Sequence, residues 1–282
     1  MIVVTGATGQ LGRLVIATLL KKVPASGIIA AVRNVEKARD IAALGVQVRH
    51  ADYNQPLMWD DALKGADSVL LISSSEVGQR TKQHRAVIDA ARRAGVKLLA
   101  YTSVLRADTS PLGLAVEHKE TEALIRASGI PFTLLRNGWY TENYTAGISG
   151  ALARGAVYGC AGEGRIASAS RADYAEAAAD ALIAENQAGR VYELAGDTAY
   201  TLAELAAEIS RQSGKNIGYV NLPEAEYRNV LVKAGLPEGV AALLADSDRG
   251  VSKGALFDDS HQLSKLINRP TTSLAAAVAA VL

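Results

Sequence analysis

The chain opens Met1-Ile2-Val3-Val4-Thr5-Gly6-Ala7-Thr8-Gly9-Gln10-Leu11-Gly12: an apolar run, then three glycines spaced by three, then apolar residues at helical spacing. This reads as a first strand, a tight turn and the start of a helix. Gly6 permits a turn that a β-carbon would block, Gly9 lets a ligand approach the main chain, and Gly12 lets the helix lie close on the strand. The helix end presents free N–H groups and partial positive charge, so the turn points to a bound pyrophosphate and hence to a dinucleotide. Any tight strand-to-helix turn can use glycines, so the reading gains its weight from the strands and helices further along the chain.

With 282 residues, 49% of them hydrophobic, the chain can bury one large core, or a core with a smaller lobe. A net charge of +1 gives no long-range attraction to nucleic acid or to an anionic membrane, and neither partner is expected. Cys160 is the only cysteine, which excludes an intrachain disulfide and a thiolate zinc cluster and makes a reducing cytoplasm the expected compartment. His50, His84, His118 and His261 lack metal-ligand spacing, and no metal is expected. The first apolar run is short and has no basic leader, so it is a strand and not a signal peptide; no later run reaches membrane-spanning length.

Helical and strand-like segments then take turns. Leu11 to Leu20, Val35 to Leu44, Met58 to Lys64, Gln79 to Ala94 and Val116 to Ser128 read as helices. Ile28 to Val32, Val46 to Arg49, Ser68 to Ile72, Lys97 to Thr102 and Phe132 to Leu135 read as strands. The alternation predicts an α/β protein with a Rossmann-type, doubly wound parallel sheet. A soft boundary falls after Arg136, dividing a dinucleotide-binding domain (1–136) from a smaller mixed α/β substrate lobe (137–282), with later segments free to add strands to the sheet. In the lobe, Val191 to Leu194 and Asn216 to Leu222 read as strands, and Pro223 to Ala234 and the tail from Thr272 as helices. Thr201-Leu202-Ala203-Glu204 has the form of a capping box opening a helix to about Ser213. Asp246-Ser247-Asp248-Arg249-Gly250 has part of a calcium-loop pattern without its closing glutamate, and is expected to be a surface turn.

Arg33 follows the second strand, where an acid would hydrogen-bond the ribose 2′-hydroxyl of NAD and an arginine can pair with the extra phosphate of NADP. NADP(H) is therefore favoured over NAD(H), unless Arg33 is simply a solvated residue starting a loop. Arg13 and Lys37 could add positive charge. Asp52 ends the third strand, placed either to accept from the adenine amino group or to close a turn. Ser73-Ser74-Ser75 follows the fourth strand, where backbone contacts with a cofactor are expected; no Gly-x-Ser-x-Gly elbow supports a serine nucleophile. Trp139, Tyr140 and Tyr144, three aromatics within six residues of a chain with only 5%, are candidate walls for a flat acceptor, and Asn143 for a hydrogen bond to its oxygen. Core packing is the alternative for the aromatics.

Together, Thr5 to Gly12, Val32-Arg33-Asn34, LLISSSEVGQR at 70–80, Tyr101-Thr102-Ser103, ADTSPLGL at 107–114 and LLRNGWYTENY at 134–144 resemble the NmrA-like atypical short-chain dehydrogenase/reductases. The likeness is strongest to their bacterial NAD(P)H:quinone oxidoreductase type 2 branch, and the triphenylmethane dye reductases are also similar. The resemblance covers nearly the whole chain. It implies NADPH-dependent hydride transfer to a quinone or another small planar electron acceptor, without flavin or metal. It also implies cofactor contacts from Gly6, Ala7, Thr8, Gly9, Gln10, Leu11, Arg33, Ser73, Ser74, Ser75, Asn137, Gly138, Trp139, Tyr140, Thr141, Glu142 and Arg171. For Arg171, capping its own helix through Asp173 is an equal reading. Homo-oligomerisation is left open.

Many relatives carry Tyr-x-x-x-Lys, in which the tyrosine protonates an alkoxide and the lysine lowers its pKa. Here Leu114 and His118 stand at those places. A leucine donates no proton, which argues against reduction of ordinary carbonyls. A quinone needs less help, because the anion formed on hydride uptake is delocalised, and a cationic dye needs no proton. His118 is a candidate for ribose positioning or proton donation, or is an exposed helix residue beside Glu117 and Lys119. The missing pair also leaves open a redox sensor of this family that binds NADP(H) without turnover.

Overall fold

The computed structural model describes residues 1–282. In chain order its elements begin β1 (Ile2–Val4), α1 (Gln10–Leu19), β2 (Ile28–Val32), α2 (Arg39–Ala43), β3 (Gln47–His50), α3 (Met58–Ala62), β4 (Ser68–Leu71) and α4 (Arg80–Arg93). They continue β5 (Leu98–Val104), α5 (Ala115–Ala127), β6 (Phe132–Asn137), α6 (Glu142–Thr145), α7 (Ile148–Arg154), β7 (Ala156–Gly159), α8 (Arg171–Ile183) and β8 (Arg190–Leu194). The last are α9 (Leu202–Ser213), β9 (Gly218–Asn221), α10 (Glu224–Lys233), α11 (Glu238–Val251), α12 (Gln262–Ile267) and α13 (Leu274–Ala279).

Two compact units emerge, interleaved along the chain. One comprises Met1–Ala107, Val116–Asn137 and Arg171–Tyr192; the other comprises Asp108–Ala115, Gly138–Ser170 and Glu193–Leu282. A seven-stranded sheet of order β3-β2-β1-β4-β5-β6-β8 organises the first unit. The pairs β1–β2, β1–β4, β2–β3, β4–β5 and β5–β6 are parallel, with Val4 lying between Ala30 and Leu70. This is the doubly wound Rossmann-type arrangement, whose strand order reverses at β1 and leaves a crevice at the carboxyl ends of β1 and β4.

Burial explains why apolar runs, and not alternating ones, became these strands. All five residues of β2 are buried, as are six of seven in β5, because helices cover both faces of a parallel sheet. On one face Trp59, Leu63, Val87, Leu99, Tyr101 and Leu134 belong to a continuous core. α8 packs on α1 and is buried on most sides, mainly through alanines. α8 has helix-forming alanines but no apolar stripe, so its sequence shows no face to bury.

Val35 to Leu44 is not one helix. Residues 35–38 form a 3₁₀ turn, capped by Asn34 Oδ1 accepting the Lys37 N–H at 3.2 Å, and α2 begins only after Ala38 leaves helical geometry (φ −111°, ψ 10°). In the second unit β7 and β9 form a small parallel sheet, and the capping box of α9 is present in both directions, Thr201 with Glu204. Asp246 to Gly250 is not a surface turn: it lies inside α11, with Ser247 and Asp248 buried against the unit's core. No helix is long and apolar enough to cross a membrane.

Candidate functional site

The glycine turn has the geometry its spacing predicts. Gly6 has φ +57°, in the left-handed region. A β-carbon on Gly12 would meet the Gly6 carbonyl oxygen at 2.5 Å and Ala7 Cα at 2.8 Å, so α1 lies against the turn only because that atom is missing. Gly9 is the N-cap of α1 and no side chain caps the helix, so its first-turn N–H groups have no intrahelical or side-chain acceptor. This cradle, with no side-chain cap, suits a dinucleotide pyrophosphate. Below it, Tyr53 donates to the Ile72 carbonyl at 2.7 Å and lies 2.7 Å from Thr5 Oγ1, which accepts the Ile72 N–H at 2.9 Å. Those bonds tie the carboxyl ends of β1 and β4 together. Sequence reading missed the contact between Thr5 and Tyr53, whose separation of 48 residues carries no local signal.

Around the turn, Arg33 is an exposed side chain at the end of β2, 3.5 Å from Glu76. Asn34, as the cap of a tight turn, aims the chain there. Arg13 is occupied by Thr8 O, Lys37 O and the Asp40 carboxylate, so it braces the cradle. The Asp52 carboxylate accepts the Asn54 N–H at 2.9 Å and its carbonyl accepts Trp59 Nε1 at 3.1 Å, closing a turn. The serine loop turns its N–H groups inward: Ser73 donates to Thr102 Oγ1 at 2.8 Å and Ser74 to His84 Nε2 at 2.9 Å. Arg80 Nε donates to the Ser74 carbonyl at 2.6 Å, and Glu117 accepts the Gly78 and Arg80 N–H groups, each at 2.9 Å.

His118 is buried, not an exposed helix residue: the side that α5 turns to the core carries it, and Nδ1 lies 2.7 Å from Tyr101 Oη. Burial, assisted by the charge of Arg80, lowers its pKa to about 3. At neutral pH the ring is uncharged, so it cannot act through charge as a lysine at that place would. One helical turn on, buried Glu122 accepts from Ser103 Oγ at 2.6 Å and from Arg136 at 2.9 and 2.7 Å. Burial pushes the Glu122 carboxyl up, but the bonds from Arg136 and Ser103 outweigh it and hold its pKa below the usual value. At the end of β6, Asn137 is buried and its Oδ1 has no partner, an acceptor left for a ligand. Arg171 is the first residue of α8, with Asp173 buried in its first turn.

Gly138 through Tyr144 belong to the second unit. Gly138 donates to the Leu194 carbonyl at 2.7 Å, Tyr140 bridges to Ala169, and Thr141 donates its N–H to Ala169 O at 2.9 Å. Glu142 begins α6. Within this unit a cavity of about 380 Å³ is lined by Trp139, Asn143 and Tyr144 but not by Tyr140. Leu202, Leu205 and Ile209 of α9 form an aliphatic wall, and Tyr227 and Asp248 supply its distant polar groups. Neither was singled out from sequence as part of a site, because each lies more than 80 residues beyond Tyr144. The Cys160 thiol is half-buried and pushed up to about 12 by burial, an unreactive state.

Comparison with known proteins gives a consistent result. The family described as "NmrA-like family" matches residues 1–275. Quinone oxidoreductase 2 of Escherichia coli (strain K12) is 60% identical over 278 residues, covering 99% of this chain and 97% of that one. The crystal structure of NADPH-dependent quinone oxidoreductase QOR2 from E. coli, complexed with NADPH, superposes with a TM-score of 0.98 at 59% identity and covers 100% and 99% of the two chains. That of the Citrobacter sp. triphenylmethane reductase complexed with NADP(H) gives 0.97 at 43% identity, covering all of both.

Proposed function

We propose that this chain, which belongs to the NmrA-like family, is an NADPH-dependent quinone oxidoreductase. The single observation that carries this reading is the 60% identity to the E. coli quinone oxidoreductase over nearly all of both chains. Bound NADPH supplies two electrons and a proton together, as hydride. The protein's part is to bind and to orient. The turn from Gly6 to Leu11 takes the pyrophosphate on first-turn N–H groups, Arg33 takes the 2′-phosphate, and the loop at Ser73 to Ser75 and the strand end at Asn137 hold the nicotinamide half. Asn137 Oδ1, buried without a partner, fits an amide or hydroxyl donor there.

The acceptor is a small planar molecule, walled by Trp139 and Tyr144 and hydrogen-bonded by Asn143. Leu114 is buried hydrocarbon where a tyrosine acid would stand in carbonyl reductases, which suits an acceptor whose reduced anion is already stable. A chain with one cysteine fits a reducing cytoplasm.

Purified protein should consume NADPH steadily, followed by its absorbance, when a benzoquinone is added. Absence of turnover across several quinones with cofactor bound normally rejects the proposal and leaves the redox-sensor reading. The 43% identity to the Citrobacter triphenylmethane reductase supports dye reduction as a second reading, favoured if a triarylmethane dye loses colour faster than quinone is consumed.

A further inference from the structure

The cavity of the second unit contains an ionisable group with no part so far in cofactor binding or acceptor stacking. Asp248, in α11, is 3% exposed, and its Oδ2 accepts the Cys160 N–H at 3.1 Å. No lysine or arginine pairs with it; the adjacent Arg249 is engaged by Glu224 and Asp246. A β-carbon on Gly159 would come within 2.8 Å of the same oxygen, so a missing side chain keeps room for the carboxyl. Burial without a counter-ion favours the neutral acid and pushes its pKa up to about 6.

The groups around Asp248 are Tyr144, Cys160, Tyr219 and Tyr227, with Glu224 of α10 and its neighbour Arg249 further out and Arg154 of α7 on the cavity wall. Burial raises the pKa of all three phenols and of the thiol, so they keep their protons at neutral pH. Asp248 is therefore the one group on the cavity wall with an acidic proton to give. The Tyr144 hydroxyl, also on the cavity wall, is buried and unpartnered, which leaves a donor for a ligand oxygen.

We propose that Asp248 is the proton donor to the reduced acceptor held in this cavity, with the Tyr144 hydroxyl hydrogen-bonded to the acceptor oxygen. The proposal rests on the quinone-reductase reading and on this cavity as the acceptor site. Uptake of hydride reduces a quinone by two electrons to the hydroquinone monoanion. The Asp248 O–H bond then breaks, an O–H bond forms on the anionic oxygen, and the electron pair stays on the carboxylate, which takes a proton back from solvent. A phenolate holds a proton more tightly than a carboxylate does, so the transfer runs downhill.

Asp248→Asn keeps the shape and removes the acid. With 1,4-benzoquinone and NADPH, kcat/KM of the unaltered protein should fall above about pH 6. In the variant that limb should vanish and kcat at pH 6 should drop about tenfold or more. Infrared spectra of the unliganded protein should show a protonated carboxyl band at pH 5 that disappears by pH 8 and is missing from the variant. A residue that only shaped the cavity would change KM and keep the pH limb; that result overturns the proposal. Ala234→Trp, at an exposed residue on the cavity edge, separates the failures. If it raises KM for naphthoquinones while Asp248→Asn keeps the limb, Asp248 is not the donor. If neither variant alters quinone kinetics, the acceptor binds elsewhere. If the unaltered protein turns over no quinone, the functional reading itself has failed.

Discussion

The backbone N–H of Ser74 donates to His84 Nε2 at 2.9 Å, and this bond fixes the protonation of the buried ring. Nε2 must be the bare nitrogen, so Nδ1 carries the hydrogen and donates to Thr121 Oγ1 at 2.9 Å, while the Thr121 hydroxyl donates to the Glu117 carbonyl at 2.8 Å. The loop after β4 thus hangs on a neutral imidazole, and the neutral form is secured because burial, assisted by Arg80, lowers the His84 pKa to about 3.

Replacing that acceptor should loosen the serine loop. His84→Phe leaves a buried N–H unpaired, which costs about 1–3 kcal/mol. Urea denaturation should show this loss, and calorimetry a severalfold weaker NADPH affinity. Lost stability with unchanged affinity would remove the loop from the cofactor site.

Acid should destabilise the fold well above carboxylate pH. His84 and His118 titrate near pH 3 when folded and near 6.5 when unfolded, so between those values the unfolded chain binds more protons and stability falls as pH falls. Asp248 acts with the opposite sign: its pKa rises from 3.8 to about 6 on folding, so its contribution is present below 3.8 and lost as pH rises to 6. Urea midpoints measured from pH 7 to 4 should decline, less steeply in His118→Gln and more steeply in Asp248→Asn. A flat profile for the unaltered protein would mean that the histidines are solvated.

Glu122 and Arg136 form a buried pair, and breaking it from one side should be severe. Glu122→Gln leaves the Arg136 guanidinium buried without its counter-charge, a loss of about 3–5 kcal/mol. Glu122→Gln combined with Arg136→Met should recover part of it in a thermal melt. No recovery would mean that Ser103 and Arg126, which also bond Glu122, matter more.

Gly12→Ala should damage the cradle more than a methyl group suggests. The added carbon meets backbone at 2.5 Å, so α1 must retreat, at a cost of about 1–3 kcal/mol. NADPH affinity should fall at least tenfold by calorimetry, since the first-turn N–H groups move with the helix. Unchanged affinity would mean that the pyrophosphate rests on other groups.

Arg33→Asp should weaken NADPH far more than NADH, by about tenfold or more, because only NADPH carries the 2′-phosphate. Equal losses for both would assign Arg33 to loop structure.

The fold was legible because its signals are local. Burial on both faces demands the continuous apolar runs of β2 and of Val69 to Leu71 in β4, and the turn between β1 and α1 demands glycine where φ is positive or backbone passes too close for a β-carbon. The Thr201–Glu204 capping box was legible for the same reason. α8, buried on most sides by alanine, has no stripe to read, and the Asp246–Gly250 pattern is identical whether it lies in a turn or a helix.

What the amino-acid order determined alone was the parallel α/β architecture, the glycine cradle and the arginine beside it, since each depends on residues within a few positions of one another. Tertiary structure decided that His118 is buried and uncharged, that Ser74 hangs on His84, and that Tyr144, Tyr227 and Asp248 line one cavity. The physical reason is that desolvation and hydrogen bonding act through space. A histidine or aspartate has its ordinary pKa in the chain and acquires another only when distant segments exclude its water.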